Sequence, residues 1–158
     1  MEIERKFLIA SEPDLGAATS VAVRQGYVTR PGDSVSVRLR QKGEKFLLTV
    51  KSGQGLVREE HESRIEPGLF ERFWPATEGR RVEKTRWTGA LPGGETFEYD
   101  VFAGAHAPLR LVEVEFESRE AAEAFSPPDW FGAEVTGERD YSNEVLAVEG
   151  LPETPRDT

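Results

Sequence analysis

The 158-residue sequence contains no cysteine. Disulfide bonds, thiolate metal ligands and thiol nucleophiles are therefore excluded. Histidine is almost as scarce, since only His61 and His106 occur and they stand far apart without a nucleophile motif nearby. A Ser-His-Asp triad or a histidine-based zinc site is accordingly not expected.

Long apolar runs and an excess of positive charge are also missing. No apolar segment approaches the roughly 20 residues that a membrane span needs, and Met1–Lys6 lacks the apolar region of a signal peptide. The 29 acidic residues outnumber the 20 basic ones, for a formal net charge of −9. Such a balance argues against general binding to nucleic acid or to anionic membranes, although it is compatible with one local basic site. The sequence predicts a cytoplasmic protein with no membrane partner.

The composition is that of a folded chain with one domain. Hydrophobic residues make up 37% of the sequence and charged residues 31%, which is too apolar for a disordered protein. Strict alternation of apolar and polar residues dominates, and this period predicts half-buried β-strands. The eight predicted strands are Glu2–Ile9, Val23–Thr29, Ser34–Gln41, Lys45–Lys51, Leu56–Ile65, Val82–Thr88, Thr96–Phe102 and Leu109–Glu117.

Short helices are predicted between and after these strands. Helical spacing and capping residues indicate them at Ser11–Ala18, Pro67–Ala76, Ser118–Phe125 and Asp140–Val148. Short polar turns imply antiparallel neighbours, so the pattern indicates an α+β fold built on a closed barrel or a strongly curved sheet. We expect one domain over residues 1–149, followed by a disordered tail over residues 150–158.

The charged residues are sorted by sign from strand to strand. Residues two apart on a strand share one face, and acidic side chains fill that face in the first, seventh and eighth strands. Basic side chains fill it in the third, fourth and sixth strands. Those residues include Glu2, Glu4, Arg38, Arg40, Lys51, Lys84, Arg86, Glu98, Asp100, Glu113 and Glu115.

Two interpretations of this face are open on the residues alone. Each strand taken singly fits an ordinary sheet with one face in water. A solvated face usually mixes signs, however, because like charges placed opposite each other are destabilising. Sorted charges make physical sense inside a barrel, where carboxylates ligate Mg²⁺ or Mn²⁺ and arginine forks hold a polyphosphate.

The N-terminal Glu2, Glu4 and Lys6 have the spacing E-x-E-x-K. This closely resembles the signature of the CYTH superfamily, the triphosphate tunnel metalloenzymes. The resemblance continues in order through residue 147 or so, which is nearly the whole chain. The further matching segments are Gln25–Tyr27, Val37–Arg40, Leu48–Lys51, Glu60–Glu62, Lys84–Arg86, Glu98–Asp100, Glu113–Glu115, Val135–Thr136 and Tyr141–Asn143.

The resemblance implies an α+β fold with an eight-stranded antiparallel β-barrel, or tunnel, and a few short flanking helices. Carried over to this sequence, the phosphate-binding residues are Lys6, Arg38, Arg40, Lys51, Lys84 and Arg86. The implied metal ligands are Glu2, Glu4, Glu113 and Glu115, with Glu60, Glu62 and Asp100 ligating a second ion or orienting water. The implied catalytic residues are Glu4, Lys6, Lys84 and Arg86.

One position departs from the family pattern. Members often carry a basic residue just before the C-terminal tyrosine, whereas Asp140 precedes Tyr141 here. Arg139 lies one position earlier and could substitute for it. We do not count either residue among the predicted site residues.

The activity that the resemblance implies is metal-dependent hydrolysis of inorganic tripolyphosphate to pyrophosphate and phosphate, with two Mg²⁺ or Mn²⁺ ions. Thiamine triphosphate, nucleoside triphosphates and RNA 5′-triphosphates are alternative substrates in the superfamily, and adenylate cyclase is an alternative activity. A non-catalytic polyphosphate-binding module is the alternative from another class. The expected partner is a small polyphosphate, and a homodimer is left open.

Overall fold

A computed structural model of the chain describes residues 3–52 and 59–152. These residues form nine strands and three α-helices, together with short 3₁₀ turns. The strands are β1 (Ile3–Ile9), β2 (Thr19–Tyr27), β3 (Val35–Lys42), β4 (Lys45–Ser52), β5 (Glu59–Arg64), β6 (Arg81–Ala90), β7 (Thr96–Phe102), β8 (Arg110–Phe116) and β9 (Phe131–Glu134). The helices are α1 (Pro67–Phe73), α2 (Arg119–Ala124) and α3 (Asn143–Glu149).

All nine strands belong to one sheet in the order β5-β4-β3-β2-β6-β7-β8-β1-β9. Every described ladder is antiparallel. Hairpins such as Arg30–Asp33 connect neighbouring strands, and Gly32 adopts a φ of 95° there because a left-handed residue is needed to close the turn. The predicted α+β class and antiparallel tunnel are confirmed, with nine strands instead of eight.

The sheet curls around the start of α3. Strands β3 and β1 are five positions apart in the sheet, a separation of about 24 Å if the sheet were flat. Yet Glu144 accepts a hydrogen bond from Ser36 of β3, and the Tyr141 carbonyl accepts one from Lys6 of β1. Since Tyr141 and Glu144 are only three residues apart, the sheet must bend to bring these strands to one helix end. This bending produces the concave face that holds the candidate site.

Apolar cores lie on both faces of the curled sheet. On the convex face, Phe7, Tyr99 and Val114 belong to a buried cluster with Phe131, against which Phe125 packs. On the concave face, one end is apolar, and Leu8, Phe102, Leu111 and Val82 pack there against Leu146 of α3. Helix α3 therefore fills one end of the tunnel, and the charged residues occupy the remainder of the concave face.

The local structure differs from the sequence predictions at three places. Residues 11–18 form no helix: the Asp14 carboxylate accepts a hydrogen bond from the Gly16 amide, and the Ala18 amide bonds to the Leu15 carbonyl. These local bonds make a turn in place of helical ones. The chain then enters β2 at Thr19, four residues before the predicted start, and the short strand β9 was not predicted.

The other predicted helices are confirmed with small changes of boundary. Residues 67–77 form α1 and a 3₁₀ turn, and α2 is capped by the Ser118 hydroxyl. Helix α3 ends at Glu149, and the last six residues of the predicted tail lie outside the described residues, as do residues 56–58 of the fifth predicted strand. The domain limit at residue 149 stays a prediction. Over residues 3–52 and 59–152, no helix is long and apolar enough to cross a membrane.

Candidate active site

Strand register brings the sign-sorted side chains to the concave face. Lys6 of β1 lies opposite Glu113 of β8, and Glu113 lies opposite Glu98 of β7. On β7 and β6, Asp100 lies opposite Arg86. Opposed residues on neighbouring strands point to the same side of a sheet. The alternation in the sequence therefore assigned these side chains to the correct face.

Arg86 and Lys84 share the carboxylate of Asp100. Arg86 donates from Nε and Nη2 to the two Asp100 oxygens at 2.8 and 2.9 Å, and from Nη1 to Glu98 at 3.0 Å. The Lys84 ammonium lies 2.8 Å from Asp100 Oδ2 and donates to Asn143 Oδ1 at 2.9 Å. Both cations are thus held rigidly by acceptors in the wall of the tunnel.

Arg38 and Arg40 of β3 complete a cationic cluster with Lys84 and Arg86. Arg40 donates to the side chain of Gln25, which is completely buried. Arg38 donates from Nη2 to the Thr49 hydroxyl at 3.2 Å. Its buried Nε has no hydrogen-bond acceptor among the described residues. A buried N–H without an acceptor is costly, so this group marks a position where an anionic ligand would supply a missing bond.

Burial and neighbouring charges change the pKa values of Arg40 and Asp100. Burial, together with the charges of Arg38 and Arg86, lowers the pKa of Arg40 to about 10. Arg40 is still charged at neutral pH. Burial would raise the pKa of Asp100, but the Lys84 charge and the Arg86 hydrogen bonds outweigh burial and hold it well below its ordinary value. The aspartate is therefore ionised at neutral pH.

Lys84 supplies the ammonium group of the cluster. Burial lowers its pKa from the ordinary 10.5 to about 8, against the opposing effect of Asp100. Between these two pH values the unfolded chain binds more protons than the folded chain, so the free energy of unfolding rises with pH on account of this residue.

We therefore expect the free energy of unfolding of the wild type, measured relative to that of Lys84→Met, to rise as pH increases from 8 to 10.5. Urea unfolding of both proteins across this interval measures the difference, and titrating groups that do not interact with Lys84 cancel in the comparison. A difference that stays constant with pH would show that Lys84 keeps its ordinary pKa.

An acidic row lies next to the cationic cluster. Glu4 of β1 lies directly opposite Glu115 of β8, and Glu113 and Glu98 continue the row. Opposed carboxylates repel each other, and a divalent cation held by their oxygens would offset that repulsion. Oxygen ligands of this kind suit Mg²⁺ and Mn²⁺. The donor chemistry thus fits the predicted ions, although no group of three acidic or histidine side chains converges within the described residues.

The remaining predicted site residues have different surroundings. Lys6 donates to the Tyr141 carbonyl at 3.1 Å and lies 3.7 Å from Glu113. Lys51 and Glu60, on the outer part of the sheet, form a half-exposed pair at 3.8 Å. Glu62 accepts from Thr49 and lies 3.7 Å from Arg38. Glu2 lies outside the described residues.

Asp100 is surrounded by cations in this structure. Its two oxygens accept hydrogen bonds from Arg86, one of them also meets Lys84, and the side chain is only 4% exposed. This geometry favours a role in holding the two cations in place over the predicted role as a metal ligand. The metal role stays a prediction.

Several site residues were absent from the predicted set. The start of α3 brings the Tyr141 carbonyl, Asn143 and Glu144 to the concave face. Glu98 had the correct alternation but was not selected, and Gln25, which stands in a segment that matches the family, was not selected either. Arg139 pairs with Glu149 and is 61% exposed, so it does not replace the missing basic residue.

Buried cations beside a row of carboxylates, on one face of a curled antiparallel sheet, are the groups that a multiply charged anion and a divalent cation would each need. The CYTH domain model matches residues 1–127, and the chain belongs to this family.

Two curated relatives extend along nearly the whole chain. An inorganic triphosphatase of Nitrosomonas europaea is 58% identical over 147 residues, covering 93% of this chain and 97% of that protein. An inorganic triphosphatase of Acetivibrio thermocellus is 36% identical and covers 92% of each chain. A crystal structure of an inorganic triphosphatase superposes with a TM-score of 0.79 at 56% identity, covering 94% of this chain and 95% of that one.

Proposed function

We propose that this protein hydrolyses inorganic tripolyphosphate to pyrophosphate and phosphate on the concave face of its sheet. The observation that carries the proposal is the cationic cluster of Arg38, Arg40, Lys84 and Arg86, in which the buried Arg38 Nε has no acceptor among the described residues. The relatives named as inorganic triphosphatases support the same substrate.

The acidic row is the proposed site of the metal. Glu4, Glu113 and Glu115, with Glu2, would hold Mg²⁺ or Mn²⁺, and two ions are the expected number. When bound, such ions neutralise phosphate charge and acidify a coordinated water. Glu60 and Glu62 are proposed to help with a second ion or with water. They lie on β5, whose described residues are all exposed.

The chain's own residues perform the positioning and the charge stabilisation on which phosphoryl transfer depends. Arg38 and Arg40 donate to phosphate oxygens, and Arg86 and Lys84, both held by Asp100, stabilise charge that develops on the leaving pyrophosphate. Glu4 accepts a proton from the attacking water. Lys6 orients Glu113 by its charge and is itself fixed by the Tyr141 carbonyl. No covalent nucleophile is required.

Two alternatives make different predictions in one assay. An organic triphosphate as the preferred substrate would need space beyond three phosphates, and a binding module would capture polyphosphate without turnover. A small polyphosphate partner and a cytoplasmic location remain parts of the proposal, and a homodimer remains open.

The proposal is tested by phosphate release from tripolyphosphate, ATP and thiamine triphosphate, each assayed with Mg²⁺ and with Mn²⁺. We expect turnover that requires metal and a kcat/KM that is highest for tripolyphosphate. Faster turnover of an organic triphosphate would replace the proposed substrate. Binding of tripolyphosphate without turnover under all metal conditions would favour the binding module.

Tripolyphosphate should also stabilise the folded protein. A ligand that binds only the folded state, present at about 100 times its Kd, adds about 2.7 kcal/mol. For a domain of this size that corresponds to a rise in Tm of about 5 to 10 °C. Calorimetric melting curves with and without metal measure the shift, and orthophosphate at matched ionic strength is the control. A Tm that does not change when tripolyphosphate is added would contradict both the enzyme hypothesis and the binding-module hypothesis.

A further inference from the structure

Asn143 is the first residue of α3, and its side chain reaches across to the cationic cluster. The Lys84 ammonium donates to Asn143 Oδ1 at 2.9 Å and lies 2.8 Å from Asp100 Oδ2. The ring of Phe102 lies 5.3 Å from the same nitrogen. Asn143 contacts this ammonium from helix α3, whereas Asp100 and Phe102 contact it from strand β7.

An ammonium group has three N–H donors in a tetrahedral arrangement. When Asp100 and Asn143 take two of them, the direction of the third is fixed. An acceptor at position 143 therefore determines where the remaining donor of Lys84 points. Without it, the four-carbon side chain of Lys84 regains freedom of rotation about its bonds.

The neutrality of Asn143 is also significant. Asp100 already shares its charge between Lys84 and Arg86. An amide oxygen fixes the ammonium without neutralising it further, whereas a carboxylate at position 143 would pair with Lys84 and reduce its attraction for phosphate. If Lys84 served only the stability of the fold, a carboxylate at position 143 would be a more favourable partner for it than an amide.

We propose that Asn143 is a positioning residue that orients the Lys84 ammonium toward the triphosphate while leaving its positive charge available. This inference rests on the proposed function, because it assumes that Lys84 acts on a phosphate. It gives a residue of α3 a role in a site whose cationic cluster lies on the strands β3 and β6.

Helix α3 itself is held independently of this contact. The Ser142 hydroxyl caps its first turn, the His106 ring bonds to the Leu146 carbonyl, and Leu146 is fully buried. Alanine and aspartate are both acceptable at the first position of a helix, alanine for its propensity and aspartate for its charge near the helix N-terminus. Asn143→Ala and Asn143→Asp are therefore expected to fold.

The two variants should change different kinetic constants. We expect Asn143→Ala to lower kcat for tripolyphosphate about tenfold with little change in KM, because Lys84 is charged but no longer oriented. Asn143→Asp should keep Lys84 in place and raise KM about tenfold, because the added charge opposes the substrate. Glu149→Gln, which breaks a surface ion pair on the same helix, is the matched control and should behave as the wild type.

A second readout does not depend on activity. The side chain of Lys84 has no exposed surface, so its acylation by acetic anhydride, followed by mass spectrometry, should be slow in the wild type. We expect faster labelling in Asn143→Ala and slower labelling in Asn143→Asp, whose carboxylate favours the protonated ammonium.

The outcomes separate the two proposals. If the wild type labels as expected but hydrolyses no tripolyphosphate, the proposed function fails while the contact of Asn143 with Lys84 is retained. Wild-type kcat and wild-type labelling in Asn143→Ala would overturn the inference. An equal loss of kcat in Glu149→Gln would also overturn it, because the effect would then belong to the helix and not to Asn143.

Discussion

Replacing Arg38 by alanine is expected to lower kcat/KM for tripolyphosphate by about 100- to 1000-fold, the range found when one preorganised donor to a transition-state oxyanion is removed. Arg38 is nine-tenths buried in the wall of the tunnel, and its unsatisfied Nε needs an acceptor that the described residues do not provide. The fold should survive, because the change removes both an orphaned donor and a charge that repels Arg40. Steady-state kinetics and a melting curve of the same preparation measure the two effects.

The matched control for this change is Arg139→Ala. Arg139 is 61% exposed and pairs with Glu149 on the outside of α3, so its removal should leave kcat/KM unchanged. Arg40→Ala and Lys84→Ala should behave like Arg38→Ala. If all three variants of the cationic cluster turn over tripolyphosphate at the wild-type rate, the concave face is an ordinary solvated surface and the site lies elsewhere.

Replacing Glu4 or Glu115 by glutamine should separate metal chemistry from anion capture. The two carboxylates lie opposite each other on β1 and β8, and each change keeps the side-chain shape while removing one negative ligand. We expect turnover to fall about 100-fold and the metal concentration needed for half-maximal rate to rise. Binding of tripolyphosphate without metal should survive or strengthen, because a repulsive charge has been removed.

Phosphate-release kinetics over a Mg²⁺ and Mn²⁺ titration, together with metal-free calorimetry, measure both effects. Glu123→Gln, an exposed carboxylate on α2, provides the control. Unchanged turnover and metal requirement in Glu4→Gln and Glu115→Gln would show that these glutamates do not form the metal site. Loss of metal-free binding in the same variants would instead show that they shape the anion site.

The alternation of the sequence was sufficient to assign side chains to the two faces of the sheet. Because the side-chain period of a strand is two, Arg38 and Arg40, or Lys84 and Arg86, must share a face wherever the strand lies. The sorting of charge by strand left open whether the charged face is solvated or lines a barrel. The assignment to faces depends only on local geometry, and the structure agrees with it.

Alternation could not show where along the concave face the charges end. Leu8 shares its face with Lys6, and Phe102 shares its face with Asp100, yet both lie in the apolar cluster under α3. That division depends on where a helix from the far end of the chain packs. The same long-range packing brings Asn143 to Lys84. The residue spacing around Asn143 or around Lys84 cannot predict this contact.

The ion pairs within the site could not be predicted from the sequence either. The family resemblance implied that Asp100 ligates a second metal ion or orients water. The register places it opposite Arg86, with Lys84 also in contact. A carboxylate that pairs with two basic side chains and a carboxylate that ligates a metal ion look the same in the sequence. Only the register between β6 and β7 favours one over the other.

The most direct test of the account is a crystal structure of the protein with tripolyphosphate and without metal. We predict that the phosphates lie on the concave face, with their oxygens within hydrogen-bonding distance of Arg38 and Arg40 and a new acceptor at Arg38 Nε. Tripolyphosphate bound instead on the convex surface, with Arg38 Nε still lacking a partner, would contradict the account.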